Sequence, residues 1–285
     1  MICKLKVAAK QIQRELKDHK EGIIMVVADG QSESSVAESI FLLGGFLMLA
    51  QGLTLASLAT AFKDLAHRTL LGVSGRYDVA ILHAWQALEH ARDLGWMDWT
   101  HGSDDDQPFL IDEFLHYADA ANGSIHIVAP GQLLLFRDPV DLPDSQQWAV
   151  VMGSGGACRR MFSPAYYADL FAEQGVAAVA CLTESSSSAA AFAAQGIEAR
   201  DLCPGGGASI LRTLDGLLSL SSAAAPVGGV AVHSGRGAAW PADTAVVVTT
   251  WLVGRAGFEE RAAWAWLQML CPWLLNGEQG SPASA

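Results

Sequence analysis

What this sequence of 285 residues has least of is charge. Only 17% of its residues are Asp, Glu, Lys or Arg, against 51% hydrophobic, so intrinsic disorder is excluded. Positive charge is scarcer still: 18 basic residues face 30 acidic ones, a formal net charge of −12. A general nucleic-acid binder needs lysine and arginine to displace phosphate counterions, so no nucleic-acid partner is expected. The surplus of carboxylates fits a dissolved protein or one that meets basic partners.

Cysteines are few and scattered. Cys3, Cys158, Cys181, Cys203 and Cys271 are odd in number and form no C-x-x-C pair. Neither a disulfide framework nor a zinc ribbon is expected, and a reducing, intracellular setting is. Cys181 and Cys203 close apolar runs, where a free thiol packs as a small hydrophobe. The N-terminal stretch lacks an apolar segment before a small-residue cleavage site, so no secretory signal is read. G-x-S-x-G, H-E-x-x-H and G-K-[ST] are all missing, which removes the hydrolase elbow, the zincin helix and the Walker loop.

One run is conspicuous for having no charge at all. Ser39 to Phe62 is long enough to span a bilayer. Gln51-Gly52 interrupts it, however, and Glu33, Ser34 and Glu38 lie just upstream. A buried helix followed by a second helix is therefore expected rather than a membrane span.

The segment 101–108, rich in charge, Gly and Pro, reads as a linker between a first domain at 1–100 and a second at 109–279, with 280–285 a flexible tail. Helical patterns fill the first part at 4–20, 33–50, 54–67 and 78–94, with one short strand at Ile23 to Val27. Beyond the linker, short apolar runs at 124–129, 132–136, 148–152, 176–182 and 228–232 alternate with helical stretches at 164–174, 187–195, 208–221, 243–253 and 258–270. That alternation predicts an α/β fold around an at least partly parallel sheet. A strand, a polar loop and a long apolar helix follow one another at Val26-Val27-Ala28-Asp29 and again at Val230-Ala231-Val232-His233.

The second of these carries the most chemistry. A buried strand, the glycine-rich His233-Ser234-Gly235-Arg236-Gly237 and a helix start near Trp240 aim several backbone N–H groups at one point. Such a turn binds anions, or it is an ordinary strand-to-helix connection. Gly153-Ser154-Gly155-Gly156 and Gly205-Gly206-Gly207 are weaker glycine loops. His83 and His90, two helical turns apart, suit packing or surface better than a metal.

In its order of elements the chain resembles the cell-division-cycle-fourteen family of dual-specificity protein phosphatases, from about residue 7 to residue 279. The most specific stretch is Ile111-Asp112-Glu113-Phe114-Leu115-His116-Tyr117, then Asn122-Gly123-Ser124-Ile125-His126-Ile127-Val128-Ala129-Pro130-Gly131. Ser163-Pro164 with Tyr167, Phe192 with Gly196 before Arg200-Asp201-Leu202, Ala265-Trp266, Pro272 and Gly277 with Gln279 continue the pattern. Phe41-Leu42 and Gly44 resemble the family's non-catalytic domain. The sequence shows no counterpart of the family's strands before the first helix, nor of its closing helix and basic tail.

The resemblance implies two tandem phosphatase-like α/β domains, the first shortened and non-catalytic, the second built on a central, mostly parallel sheet flanked by helices. It implies no cofactor and no metal. The family's loop reads His-Cys-x-x-Gly-x-x-Arg-Thr: the thiolate attacks phosphorus, the arginine holds the phosphoryl oxygens, and an aspartic acid protonates the leaving group. Here the nucleophile slot is Ser234, and the arginine slot falls on Trp240 or slides to Pro241, Ala242 or Asp243. The acid slot, after Asp201-Leu202, falls on Gly206. A serine hydroxyl is far less acidic than a thiol, whose reference pKa is about 8.5. The expectation is an inactive phosphatase-like scaffold for protein partners, phosphorylated or not, with exposed tryptophans among Trp96, Trp99, Trp251 and Trp273 as anchors. A phosphopeptide reader using Ser234, the loop amides and Arg236, or residual phosphatase activity with a nucleophile such as Cys203, are the alternatives.

Overall fold

The computed structural model describes residues 1–19, 25–27, 32–71, 78–97, 111–152, 158–182, 186–202, 207–220, 229–233 and 240–271. By contacts the chain divides into two compact units, and the division does not follow chain order. The first unit holds α1 (Ile2–Asp18), α2 (Glu33–Leu49), α3 (Leu55–Ala61) and α4 (Ile81–Asp93), together with the antiparallel pair β1 (Thr69–Leu71) and β2 (Val79–Ala80). The long uncharged run resolves into α2 and α3. The Ser32 hydroxyl accepts from Ser35 N–H at the start of α2, Gly52 with φ +71° ends the first helix, and Thr54 caps the second. Among the described residues no helix is long and apolar enough to cross a membrane.

Close approach sets the core of this unit. Any side chain at Gly44 would fall inside the Trp85 ring, so only glycine lets α4 lay its tryptophan against α2. Trp85 is fully buried, and its Nε1–H donates to the Phe41 carbonyl at 3.2 Å. The Phe41 and Gly44 that resemble the family's first domain are thus the floor on which Trp85 packs.

Helix α10 (Glu260–Leu270) belongs to this unit as well, and this corrects the boundaries read from the sequence, which placed it in the second domain. The cause is aromatic. Trp96, following α4, stacks on Phe258 at 5.7 Å and meets Trp266 at 6.1 Å, while His90 packs edge-on to Phe258 at 4.4 Å and hydrogen-bonds the Ala256 carbonyl at 2.7 Å. Glu259 caps α10 by accepting from Arg261 and Ala262 N–H. The strand expected at Ile23 to Val27 does not form over its described part: among the described residues Met25, Val26 and Val27 pair with no strand, and they are exposed. The parallel drawn with Val230 to His233 therefore fails, and Ala28 and Asp29 lie outside the described residues.

The second unit is an α/β sheet. In chain order it contains α5 (Ile111–Ala118), β3 (His126–Ala129), β4 (Leu133–Leu135), β5 (Trp148–Met152), β6 (Cys158–Phe162), α6 (Pro164–Glu173), β7 (Val176–Cys181), α7 (Ser186–Ala194), β8 (Glu198–Asp201), α8 (Gly207–Leu218), β9 (Gly229–His233) and α9 (Trp240–Gly254). Five strands form one sheet in the order β3-β4-β9-β7-β8, with β4, β9, β7 and β8 parallel and β3 an antiparallel edge. The last strand in sequence is thus the middle one in space. All five β9 residues are buried, as a strand covered on both faces requires. Gly229, at φ +119°, leads into it where a Cβ would collide with the Gln132 backbone.

Chain direction assigns the helices to faces. The steps from β4 to β7 and from β7 to β8 move one way across the sheet, and the step from β8 to β9 moves back. Right-handed crossovers then put α6 and α7 on one face and α8 on the other. The packing agrees: Phe171 of α6 stacks on Phe192 of α7, and Gly254 of α9 lies against Leu211 of α8. Sequence patterns located β3, β4, β5, β7 and β9 but not β6 or β8. Arg159 and Arg160 in one, and Glu198, Arg200 and Asp201 in the other, hide the apolar alternation.

Candidate functional site at the carboxyl edge of the sheet

Strands β7 and β9 are neighbours, and the helices that come after them in the chain pack on opposite faces of the sheet. Their carboxyl ends therefore form the topological switch point where α/β sheets place a ligand crevice. Three polar side chains meet there. His233 ends β9 and is 1% exposed. Its Nδ1–H donates to Asp138 Oδ1 at 3.0 Å, just past β4 on one flank. On the other flank Cys181, the last residue of β7, is its partner in the strand register. Phe136 covers the ring at 4.8 Å and is itself enclosed by Tyr167, Phe171 and Phe192.

This enclosure decides the electrostatics. Burial works against a charged imidazole, but the hydrogen bond to Asp138 and the interaction with the Cys181 thiol outweigh it, and the His233 pKa is pushed up to about 9. At neutral pH the ring is an imidazolium beside a carboxylate. Tyr167 shows burial acting without such help: its hydroxyl pKa is driven well above the usual phenol value, and it donates to the Gly123 carbonyl at 2.8 Å.

His233 is where the sequence places it, at the end of a buried strand. Ser234, Gly235, Arg236 and Gly237 lie outside the described residues, as do Cys203 and Gly206. Trp240 opens α9, with its side chain outside the description. Asp138 was missed. It precedes His233 by 95 positions, and its only sequence signal is a carboxylate directly after the apolar run of β4.

The stretch that carries most of the resemblance is a structural corner. Asn122 Nδ2–H donates to the His116 carbonyl at 2.9 Å, tying the end of α5 to the turn before β3. Tyr166 donates to the Asn122 carbonyl and Arg160 to the Ala121 carbonyl. Gln174 reaches the Tyr117 hydroxyl at 2.8 Å. His83 and His90 likewise serve packing: His83 Nδ1 accepts the Ala80 N–H at the start of α4, and His90 joins the Phe258 cluster.

The expected aromatic anchors need correction. Trp96 is 5% and Trp251 1% exposed, so both are core, and Trp99 and Trp273 lie outside the described residues. Among the described tryptophans the exposed one is Trp148, on the ribbon formed by β5 and β6. There Val150, Val151 and Met152 are exposed too, and the Arg160 guanidinium lies 4.4 Å from the centre of the Trp148 ring.

Among the described residues no group of three His, Cys, Asp or Glu side chains is placed to hold a metal ion. No protein-family model matches the chain, and no curated protein matches it.

Proposed function

We propose that the chain is a catalytically inactive relative of the dual-specificity phosphatases, a pseudophosphatase that works through contacts with other proteins. The observation that supports this best is the end of β9. The central strand β9 ends at His233, which is hydrogen-bonded to Asp138, and the glycine-rich segment follows it directly in sequence. The next residue is Ser234, with Trp240 and Gly206 in the slots of the arginine and the acid. The frame is that of a phosphate loop and the reacting groups are gone. The exposed β5–β6 ribbon supplies apolar area for a protein partner.

A second reading has its own support. An imidazolium at His233, directly before the glycine-rich segment in sequence, favours an anion nearby, as a phosphopeptide reader would use. Two measurements separate the readings. Full-length protein incubated with a small aryl phosphate is expected to release no phenol above buffer, whereas turnover lost on Ser234→Ala would overturn the proposal. Phosphate or tungstate that raises the melting temperature by preferential binding to the folded chain selects the reader, and an unchanged melting temperature selects the scaffold.

A further inference from the structure

The crevice holds a thiol that neither reading uses. The register sets Cys181 of β7 opposite His233 of β9, and the strand order puts Asp138 on the far flank of the ring. His233 therefore has a carboxylate at Nδ1, while its Nε2, in a ring 1% exposed, makes no aligned hydrogen bond. Buried polar atoms are nearly always satisfied, and one that is not is a candidate for chemistry. The polar group that interacts with the ring from the β7 side is the Cys181 thiol. Nucleophile, imidazole and orienting carboxylate in that order are the parts from which activated thiols are built. The other described cysteines lack this setting. Cys158 is exposed beside Met152, and Cys271 is fully buried, where burial pushes its thiol pKa up.

Access limits the reagent. Cys181 is 5% exposed, so a bulky or charged electrophile is shut out and a small uncharged one is admitted. We propose that Cys181, served by His233 and Asp138, is a reactive thiol that reduces small hydroperoxides and is itself converted to a sulfenic acid. The sulfur attacks the distal peroxide oxygen and the O–O bond breaks. Sulfur loses two electrons, and the peroxide is reduced to an alcohol, or to water when it is hydrogen peroxide. The thiol proton sits on the His233 ring when the sulfur attacks, and the leaving oxygen takes that proton from the imidazolium. The net change is thiol plus hydroperoxide to sulfenic acid plus alcohol or water. Asp138 holds the ring in place through both transfers.

The test exposes the full folded chain to hydrogen peroxide and ends the oxidation with catalase at set times. The chain is then unfolded in the presence of a sulfenic-acid-trapping dione, so that reagent size does not bias the labelled peptides quantified by mass spectrometry. Cys181 is expected to label at least about tenfold faster than Cys158 despite its burial, since positioned proton transfer contributes that much or more. Asp138→Asn and His233→Gln, each checked for native circular dichroism, are expected to slow Cys181 about tenfold and leave Cys158 unchanged. The wild-type ratio needs no variant, so it decides even if His233→Gln fails to fold. Faster labelling of Cys158, or a Cys181 rate untouched in folded Asp138→Asn, overturns the proposal.

Discussion

The half-buried His83 of the helical unit and the buried His233 of the sheet unit are driven in opposite directions. In the helical unit, burial and then the charge of Arg261 lower the His83 pKa, so the ring accepts the Ala80 N–H as a neutral imidazole. In the sheet unit burial also opposes charge at His233, yet the Asp138 carboxylate wins and the ring stays protonated. Burial alone gives a histidine that caps a helix. Burial with a carboxylate at hydrogen-bond distance gives a ring held protonated at the end of a strand. The helical unit is held by aromatic packing, while the sheet unit adds the part-buried pair of His233 and Asp138 at the end of its central strand.

The largest effect is expected in the helical unit. Trp85→Ala removes the side chain that fills the hollow over Gly44 and should cost about 3–5 kcal/mol in urea unfolding. A loss below about 1 kcal/mol would show that aromatic packing does not dominate there.

Next comes the ion pair of the sheet unit. The folded pKa of His233, about 9, lies above its ordinary 6.5. A raised pKa means stability fully present below about pH 6.5 and lost as pH rises through about 9. The contribution is on the order of 3 kcal/mol. Melting temperature followed from pH 6 to pH 10 should fall in that window for the wild type and flatten in Asp138→Asn. Equal slopes in the two proteins would remove the contrast with His83.

Smaller effects probe the parts that are neither core nor crevice. Asn122→Ala breaks the tie between α5 and the turn before β3 and should cost about 1 kcal/mol by chemical denaturation. Trp148→Ser, on the exposed ribbon, should change stability by no more than about 0.5 kcal/mol. A large loss at Trp148 would mean that the ribbon is part of the core and not a surface for partners.

Much of this fold is legible from local pattern. Strands β7 and β9 are unbroken apolar runs, and α9 follows β9 after a glycine-rich segment, so the position of His233 follows from neighbours in sequence. The charged strands β6 and β8 escape because their side chains face solvent for part of their length. What local pattern cannot carry is the pairing of distant segments. Nothing around Glu260 to Leu270 records that Trp266 packs with Trp96, so α10 was assigned to the wrong unit. Nothing around Arg137-Asp138 records that the aspartate closes on His233. The catalytic slots at Ser234, Trp240 and Gly206 are legible only as identities, through the family they resemble.

The most direct test of this account is the titration of the His233 ring by NMR in the full-length protein, wild type beside Asp138→Asn. With the aspartate in place the ring should stay protonated through neutral pH and titrate near 9, falling to 6.5 or below when the carboxylate becomes an amide. A wild-type ring that titrates at or below 6.5 would contradict it, because the crevice would then hold a neutral imidazole no different in kind from His83.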